Sequence, residues 1–241
     1  MILYHHLTEG RFLLRRNRFI ADCQVDGQRI ACHVKNTGRL RELLLPGATV
    51  WLEASDNPAR KTRFDLVAVA HGGRVVNIDS QAPNAVFAEW ARAGGYLPGL
   101  TALTAEVRRG ESRFDFTYRR GDTEGFAEIK GVTLFDERGV AYFPDAPTQR
   151  GVKHLTGLAD IARGGGEAGV CFLLMREDAL ALRPNDATHP AFGQALREAR
   201  SAGVLTTAVC CRVTPDSVTA LRTVPVLVSP DETIREGDYS P

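Results

Sequence analysis

Two neighbouring stretches in the middle of the chain alternate polar and bulky residues, which is the period of a half-buried β-strand. They are residues 112–118, SRFDFTY, and residues 125–130, GFAEIK. The segment between them, 119–125, is charged and contains glycine, so we expect a short loop and antiparallel pairing of the two strands. The pattern therefore predicts a β-hairpin.

The first third of the chain also has the pattern of short strands broken by turns. Asp26-Gly27 and Gly72-Gly73 are hairpin turn signals. Five strands with a short helix at 40–45 match the size of an OB-type barrel, and an SH3-like barrel fits the periodicity equally. The predicted strands cover residues 11–23, 28–34, 49–53, 64–70 and 74–79.

From residue 83 the pattern changes, because apolar positions begin to recur at helical spacing. Helices are predicted at 84–94, 148–163 and 190–201. Strands are predicted at 103–108, 170–175 and 204–213, besides the hairpin. We predict an α/β (α+β) chain with domains 1–82 and 83–228 and a polar tail at 229–241.

The hairpin carries a set of polar residues that suits a metal ion. Side-chain alternation places Glu128 and Lys130 on one face of the second strand, and Asp115 can join them from the first strand. Two carboxylates and a backbone carbonyl suit Mg²⁺ or Mn²⁺, and a lysine beside them can hold a water molecule. These are the parts of metal-assisted phosphodiester hydrolysis. An ordinary salt bridge between Glu128 and Lys130 explains the same residues equally well.

The spacing of these three residues resembles the PD-(D/E)xK nuclease signature, and a longer match surrounds it. The segments SRFDF, EIKGVTL and FPDAPTQRGVKHL follow in order, and NTGRL lies upstream. Together they resemble the sugar fermentation stimulation protein A family. Pro147 departs from the family pattern, which more often has a β-branched residue there. The segments are residues 112–116, 128–134, 143–155 and 36–40.

The resemblance implies an N-terminal five-stranded OB-like barrel followed by a nuclease-like αβββαβ domain. It also implies a cytoplasmic protein that binds DNA and influences the expression of sugar-utilisation functions. Resemblance to related nucleases suggests Glu106 as a third carboxylate, and an ion pair with Arg108 or Arg113 is the alternative. The family segment that begins at Asn36 is physically an equally good structural turn.

Two groups of basic and polar residues are candidate DNA contacts. In the barrel, arginines lie near Phe12 and Phe19, as in single-strand binding surfaces. The equal alternative is that the aromatics are core and the arginines a solvated edge. In the predicted second helix, we expect polar residues outside the apolar stripe to reach phosphates. A structural role for the histidine among them is the alternative. The candidates are Arg11, Arg15, Arg16 and Arg18 in the barrel, and Thr148, Arg150, Lys153 and His154 near the helix.

Composition supports this assignment. The 241 residues carry a net charge of +1. Residues 1–82 hold 12 Lys and Arg against 8 Asp and Glu, whereas the remainder holds 18 against 21. We expect the basic part to contact a polyanion. The five cysteines form no C-x-x-C pair and no apolar stretch reaches the length of a membrane helix, so we expect a cytoplasmic protein without disulfides or a zinc site.

Three functions remain at this point. The first is a Mg²⁺- or Mn²⁺-dependent nuclease, and the second is a DNA-binding transcriptional regulator that keeps the nuclease fold without turnover. A small-molecule hydrolase or carbohydrate binder has less support, because the sequence contains no nucleophile elbow or P-loop. No base-reading helix is recognisable, so we expect DNA binding without sequence specificity.

Overall fold

The computed structural model describes residues 1–109 and 112–234. The chain divides into two units. The N-terminal unit contains Met1–Ala82 together with the returning segment Arg212–Thr219, and the C-terminal unit contains Pro83–Cys211 and the chain from Ala220 onward. The predicted domains placed residues 212–219 with the second domain, whereas the structure groups them with the first unit.

The N-terminal unit is built on a five-stranded closed barrel. Its sheet has the order β3-β2-β1-β4-β5-β6, and an additional pairing between β3 and β5 closes the ring. Strand β6 pairs with β5 outside that ring. The predicted OB-like barrel is therefore confirmed. The strands are β1 (Leu7–Arg15), β2 (Ile20–Val25), β3 (Gln28–Val34), β4 (Thr49–Ala54), β5 (Phe64–His71) and β6 (Arg74–Asn77).

The barrel differs from the prediction in two places. The predicted strand 11–23 is two strands, because Asn17 accepts hydrogen bonds from the backbone N–H groups of Phe19 and Ile20 and turns the chain there. The predicted helix at 40–45 is a hydrogen-bonded turn. Leu40 has a φ of +49°, which a right-handed helix does not allow. Strands β1 to β5 thus form the ring, and the predicted fifth strand is the extra strand β6.

The C-terminal unit is a mixed sheet with helices. The sheet order is β15-β14-β12-β9-β8-β7, in which β12 runs parallel to β9 and β14, and β7, β8 and β9 are antiparallel neighbours. The order α1, β7, β8, β9, α2, β12 reproduces the predicted αβββαβ arrangement. The elements are α1 (Ala82–Arg92), β7 (Leu100–Arg109), β8 (Ser112–Arg120), β9 (Thr123–Val132), α2 (Gln149–Arg163), β12 (Glu167–Leu174), α3 (Pro190–Ser201), β14 (Leu205–Val213) and β15 (Val218–Val224).

Four strands were not predicted from the sequence. One is the edge strand β15, and the other three form a small separate sheet in the order β10-β11-β13. Of the predicted tail, residues 235–241 lie outside the described residues. Residues 229–234 contain no helix or strand. Glu232 of this segment forms an ion pair with Arg200 of α3. The strands of the small sheet are β10 (Leu134–Phe135), β11 (Val140–Phe143) and β13 (Ala181–Pro184).

The core of the C-terminal unit lies between the sheet and helices α2 and α3. Strand β12 is buried along nearly its whole length, as expected for a central parallel strand. Leu155 and Leu158 of α2 and Phe192 of α3 are buried in the same cluster as Phe172 of β12. This packing fixes the face that α2 turns toward the sheet. No helix in the described part of the chain is long and apolar enough to cross a membrane.

Candidate metal centre

The centre is built around Glu128, which lies on β9 in the middle of the sheet. Its side chain is 3% exposed. One carboxylate oxygen, Oε1, is contacted by both the Lys130 ammonium group and Nδ1 of His154. The other oxygen, Oε2, is buried and has no hydrogen-bond partner among the described residues. Glu128 therefore keeps one buried acceptor available for a cation.

Asp115 faces this group from the neighbouring strand β8. The last register pair of the two strands, Phe116 with Ala127, leaves Asp115 beside Glu128. Asp115 Oδ2 accepts a 2.8 Å hydrogen bond from the backbone N–H of Ile129, and Oδ1 accepts a 3.3 Å bond from Asn84 of α1. The structure thus brings together Asp115, Glu128 and Lys130, the three residues that the hairpin pattern singled out.

The two carboxyl groups have opposite electrostatic surroundings. Burial, followed by the charge of Glu128, raises the pKa of Asp115, although the Ile129 N–H and Lys130 oppose this. Burial also opposes the ionisation of Glu128, but the hydrogen bond from His154 and the charge of Lys130 outweigh it and lower its pKa. Glu128 is therefore the ionised member of the pair. A cation bound beside Asp115 would stabilise the ionised form of that residue.

His154 is on the buried face of α2, which corrects the sequence prediction that placed it away from the apolar stripe as a DNA contact. Its side chain is 7% exposed and meets Glu128. Arg150 donates from Nε to Nε2 of His154 at 3.4 Å. Because arginine has no acceptor atom, Nε2 accepts, and Nδ1 carries the hydrogen that it donates to Glu128. His154 therefore positions Glu128.

The other predicted contacts near α2 divide into two kinds. The Thr148 hydroxyl caps the helix by accepting a 3.0 Å hydrogen bond from the backbone N–H of Gly151. Arg150 and Lys153 have exposed side chains. Arg150 is linked through His154 to Glu128, so a positive surface group lies two contacts away from the carboxylates.

Glu106 does not join the carboxylate pair. Its side chain is 69% exposed and forms an ion pair with Arg113 at 2.5 Å. The register places Ala105 opposite Phe116, but Glu106 has a φ of +58°, which interrupts the alternation of side chains along β7. The prediction of Glu106 as a third carboxylate of the centre is therefore corrected in favour of the alternative ion pair.

The centre offers few protein ligands. Across residues 1–109 and 112–234, no group of three or more His, Cys, Asp or Glu side chains is arranged to hold a metal ion. Asp115 and Glu128 nevertheless fit a small hard cation, because Mg²⁺ is commonly held by one or two carboxylates and keeps several waters. The buried, unpartnered Glu128 Oε2 is the atom that such an ion would satisfy.

Two of the four barrel arginines are occupied within the protein. Arg15 donates to four backbone carbonyl oxygens, and Arg16 is bonded to the fully buried carboxylate of Asp22 at 2.6 and 2.8 Å. The bonds of Arg15 direct its guanidinium group at backbone carbonyl oxygens, whereas the side chain of Arg16 is 52% exposed in spite of its ion pair. We therefore correct that prediction for Arg15, which is structural, and a DNA contact of Arg16 stays a prediction.

The other two arginines, Arg11 and Arg18, are exposed as well. Arg11 donates to the Thr49 hydroxyl at 2.5 Å, and the guanidinium carbon of Arg18 lies 4.8 Å from the centre of the Phe19 ring. Phe19 is 44% exposed, whereas Phe12 is buried. The predicted mixture of arginine and aromatic side chains on the surface thus reduces to Arg18 and Phe19.

Sequence reasoning missed Asn84 and the role of His154. Both lie on helices, and their contacts depend on which strand each helix packs against. The signals for His154 were its place in the family segment 143–155 and its position one residue before the buried Leu155.

Two family profiles match the chain. The SfsA N-terminal OB domain matches residues 13–78, and the sugar fermentation stimulation protein RE domain matches residues 81–217. The chain belongs to the SfsA family. Members of the SfsA family are similar to it over most of their length.

Three relatives and one solved structure illustrate the similarity. The sugar fermentation stimulation protein homolog from Desulfitobacterium hafniense, strain Y51, is 50% identical, covering 90% of this chain and 94% of its own. The homolog from Clostridium beijerinckii is 45% identical, covering 89% of this chain and 95% of its own. The homolog from Clostridium tetani is 41% identical, covering 95% of this chain and all of its own. The structure of Pyrococcus furiosus SfsA in complex with Ca²⁺ is 27% identical, with a TM-score of 0.86, and covers 94% of this chain and 98% of its own.

Proposed function

We propose that this SfsA-family chain binds DNA without sequence specificity and hydrolyses its phosphodiester bonds at a Mg²⁺ or Mn²⁺ site formed by Asp115 and Glu128. The observation that carries the proposal is the buried carboxylate pair, in which Glu128 Oε2 lacks a partner in the described part of the chain. The Ca²⁺ complex of the Pyrococcus furiosus relative supports a site for a hard divalent cation.

Each residue of the centre has a distinct task in this proposal. Asp115 and Glu128 hold the cation, and the Ile129 N–H fixes the orientation of the Asp115 carboxylate. His154 holds Glu128 through Oε1. Lys130 reaches the same carboxylate and orients the attacking water beside it. When bound there, the ion neutralises charge on the scissile phosphate.

Two exposed groups of α2 support a phosphate-containing substrate. Arg150 lies next to His154, and Lys153 is on the same exposed part of the helix. Arginine binds phosphate through its planar set of donors. A DNA strand that meets the carboxylate pair would therefore find positive charge beside it.

A DNA-binding regulator without cleavage is the second candidate. It is favoured by the ion pair that Glu106 forms with Arg113 and by the small number of protein ligands at the centre. In that case the family association with sugar fermentation reflects transcription regulation of sugar-utilisation genes. Both candidates have DNA as the partner, and they differ in whether Lys130 supports turnover.

The test is incubation of supercoiled and single-stranded DNA with pure protein in Mn²⁺, Mg²⁺ or EDTA. The variants are Glu128→Ala and Lys130→Ala, with Glu124→Ala as the control, because Glu124 is an exposed glutamate on the same strand. We expect metal-dependent cutting that falls at least about 10²-fold in Lys130→Ala, the lower end for a group acting on proton transfer, and at least as far in Glu128→Ala, which lacks a carboxylate that holds the cation. The control should cut like the wild type.

Mobility shifts on the same samples separate the two candidates. DNA that is shifted but intact in every sample makes the chain a binding protein and excludes hydrolysis. DNA that is neither shifted nor cut excludes both candidates. Cutting that survives Glu128→Ala would locate the activity elsewhere.

A further inference from the structure

The N-terminal unit contains a surface cleft with a volume of about 470 Å³. It lies between the turn that joins β1 to β2 and the loop that follows β3. Its floor is apolar and its rim is basic, and none of the described residues that line it is Asp or Glu. We call it the arginine cleft. Its rim includes Arg18, Arg39 and Arg41, and its apolar floor includes Leu14 and Pro46, which are exposed.

Arg15 holds the two sides of this cleft together. On one side it donates to the carbonyl oxygen of Arg18 at 2.7 Å. On the other it donates to the carbonyl oxygens of Asn36, Gly38 and Arg39 at 2.6, 2.7 and 2.9 Å. A guanidinium group is planar and rigid, so these bonds fix the width of the cleft.

The far side of the cleft is a constrained loop. Asn36 donates to the carbonyl oxygen of Ile78 at 2.8 Å and accepts from the Gly38 N–H at 2.7 Å. Leu40 is buried at a φ of +49°, a conformation that is unfavourable for a bulky side chain. The residues on either side of Leu40 are exposed arginines. Strain of this kind concentrates at functional sites, and here it presents two arginines at one rim.

The rim arginines differ from Arg15 and Arg16 in how their charge is used. Arg18, Arg39 and Arg41 are exposed, and none of them forms an ion pair with a carboxylate of the described residues. Phe19, which lies under Arg18, is also exposed. The protein does not neutralise the positive charge of this rim, and the cleft contains no acidic residue. Such a cleft suits an anion that also has a planar apolar part.

We propose that the arginine cleft binds a single-stranded segment of DNA, with a base against the apolar floor and phosphates at Arg18, Arg39 and Arg41. An unpaired base can present its face to such a floor, whereas the bases of a duplex are stacked on one another. The inference rests on DNA as the partner in the proposed function. It adds the form of DNA and a second contact site in the N-terminal unit.

The test is fluorescence anisotropy in EDTA, so that no strand is cut. A labelled single strand and its duplex are titrated with wild type, with the triple variant Arg18→Ala, Arg39→Ala, Arg41→Ala, and with the singles Arg39→Ala and Arg41→Ala. Arg63→Ala is the matched control, because Arg63 is an exposed arginine of the same unit that does not line the cleft. Thermal unfolding checks that each variant is folded.

We expect the wild type to prefer the single strand and the triple variant to bind it at least about tenfold more weakly. Each lost phosphate contact on a single strand removes about 0.7 from the slope of log affinity against log salt, so the slope should fall by about 2. A variant that had lost structure would unfold at a lower temperature than the wild type. The reduced slope is therefore interpreted only for variants whose unfolding temperature is unchanged. The single variants should each show part of the loss, which keeps the test valid if the triple variant does not fold.

Two results would overturn the inference without touching the metal site. One is equal binding of the single strand by wild type and the cleft variants. The other is absence of single-strand binding, or a preference for the duplex, in the wild type. The proposed hydrolysis is judged separately by cutting in Mn²⁺ and its loss in Glu128→Ala.

Discussion

Buried carboxylates occur in both units, and their surroundings differ. In the N-terminal unit, Asp22 is fully buried and bonded to Arg16 and Arg29. The hydrogen bond from Arg16 is the main cause that lowers the pKa of Asp22, against the effect of burial. Asp65 is similar: burial opposes its ionisation, but Arg60 and Lys35 outweigh it and lower its pKa. These carboxylates have their compensating charge within the protein.

In the C-terminal unit, the negative charge of the carboxylate pair Asp115 and Glu128 is compensated on one side only. Lys130 and His154 meet a single oxygen of Glu128, while burial and the charge of Glu128 raise the pKa of Asp115. A buried charge without a partner is unfavourable, and proteins keep such groups mainly at functional sites. Burial of a carboxylate is therefore not itself a sign of function, and it is the incomplete compensation that makes the C-terminal pair the candidate site.

We expect the largest effect in Mn²⁺ binding, which should distinguish the carboxylate pair of the C-terminal unit from the ion-paired carboxylates of the N-terminal unit. Isothermal calorimetry with Mn²⁺ should give a binding heat for the wild type and none for Glu128→Gln, because the substitution removes a negative ligand. Asp22→Asn is the matched control, since it removes a buried carboxylate whose charge is already compensated, and it should bind Mn²⁺ like the wild type. An unchanged heat in Glu128→Gln would contradict the site.

The sequence predicted much of this centre because its signals are local. Alternation of side chains along the hairpin was enough to bring Asp115, Glu128 and Lys130 together. Helix α3 was predicted with the bounds that the structure has, because its apolar stripe and the proline at its first turn are contained in twelve residues. The barrel class was predicted from the short strands and their turns, although the five predicted strands are not the five strands of the ring.

What the sequence did not predict depends on distant contacts. The buried position of His154 follows from the packing of α2 against the sheet, with Gly151 also on the inward face. Glu106 was assigned to the centre because alternation was assumed along β7, and its positive φ breaks that alternation. Strands β10 and β11 are short and pair with each other, and β11 also pairs with the distant β13, so no local pattern marks them.

An intermediate effect should appear in the pH dependence of Asp22→Asn. The pKa of Asp22 is lowered in the folded state, so its stabilising contribution is present above the unfolded-state value of about 3.9. It is lost as the pH falls through the lower folded-state value. Thermal unfolding should therefore give a lower Tm for the variant at pH 7, with a difference that stays constant down to about pH 4 and shrinks below it.

The matched control for that measurement is Asp26→Asn, because Asp26 is an exposed aspartate in the neighbouring turn. Asparagine is compatible with its positive φ, so the backbone is not strained by the change. A gap between wild type and Asp22→Asn that persists unchanged well below pH 4 would show that the loss comes from packing and not from the charge.

The smallest expected effect has the opposite sign and concerns Asp115→Asn without metal. The pKa of Asp115 is raised in the folded state, so its ionised form destabilises the fold at neutral pH. Asparagine removes the charge and keeps an oxygen to accept the Ile129 N–H. In EDTA at pH 7 we expect a Tm increase of about 2–4 °C, which corresponds to roughly 1 kcal/mol for a chain of this size.

Low pH should remove this advantage, and a bound metal ion should reverse it if Asp115 is a ligand. As the pH falls through the raised pKa, the wild type is protonated in the folded state and the gain from Asp115→Asn should disappear toward pH 4. At neutral pH, Mn²⁺ at a hundred times its dissociation constant should stabilise the wild type by about 2.7 kcal/mol and the variant by much less. The order of the two Tm values would then invert on adding Mn²⁺. An advantage for Asp115→Asn that survives saturating Mn²⁺ would mean that Asp115 is a strained structural carboxylate, and the contrast between the two units would not identify a metal site.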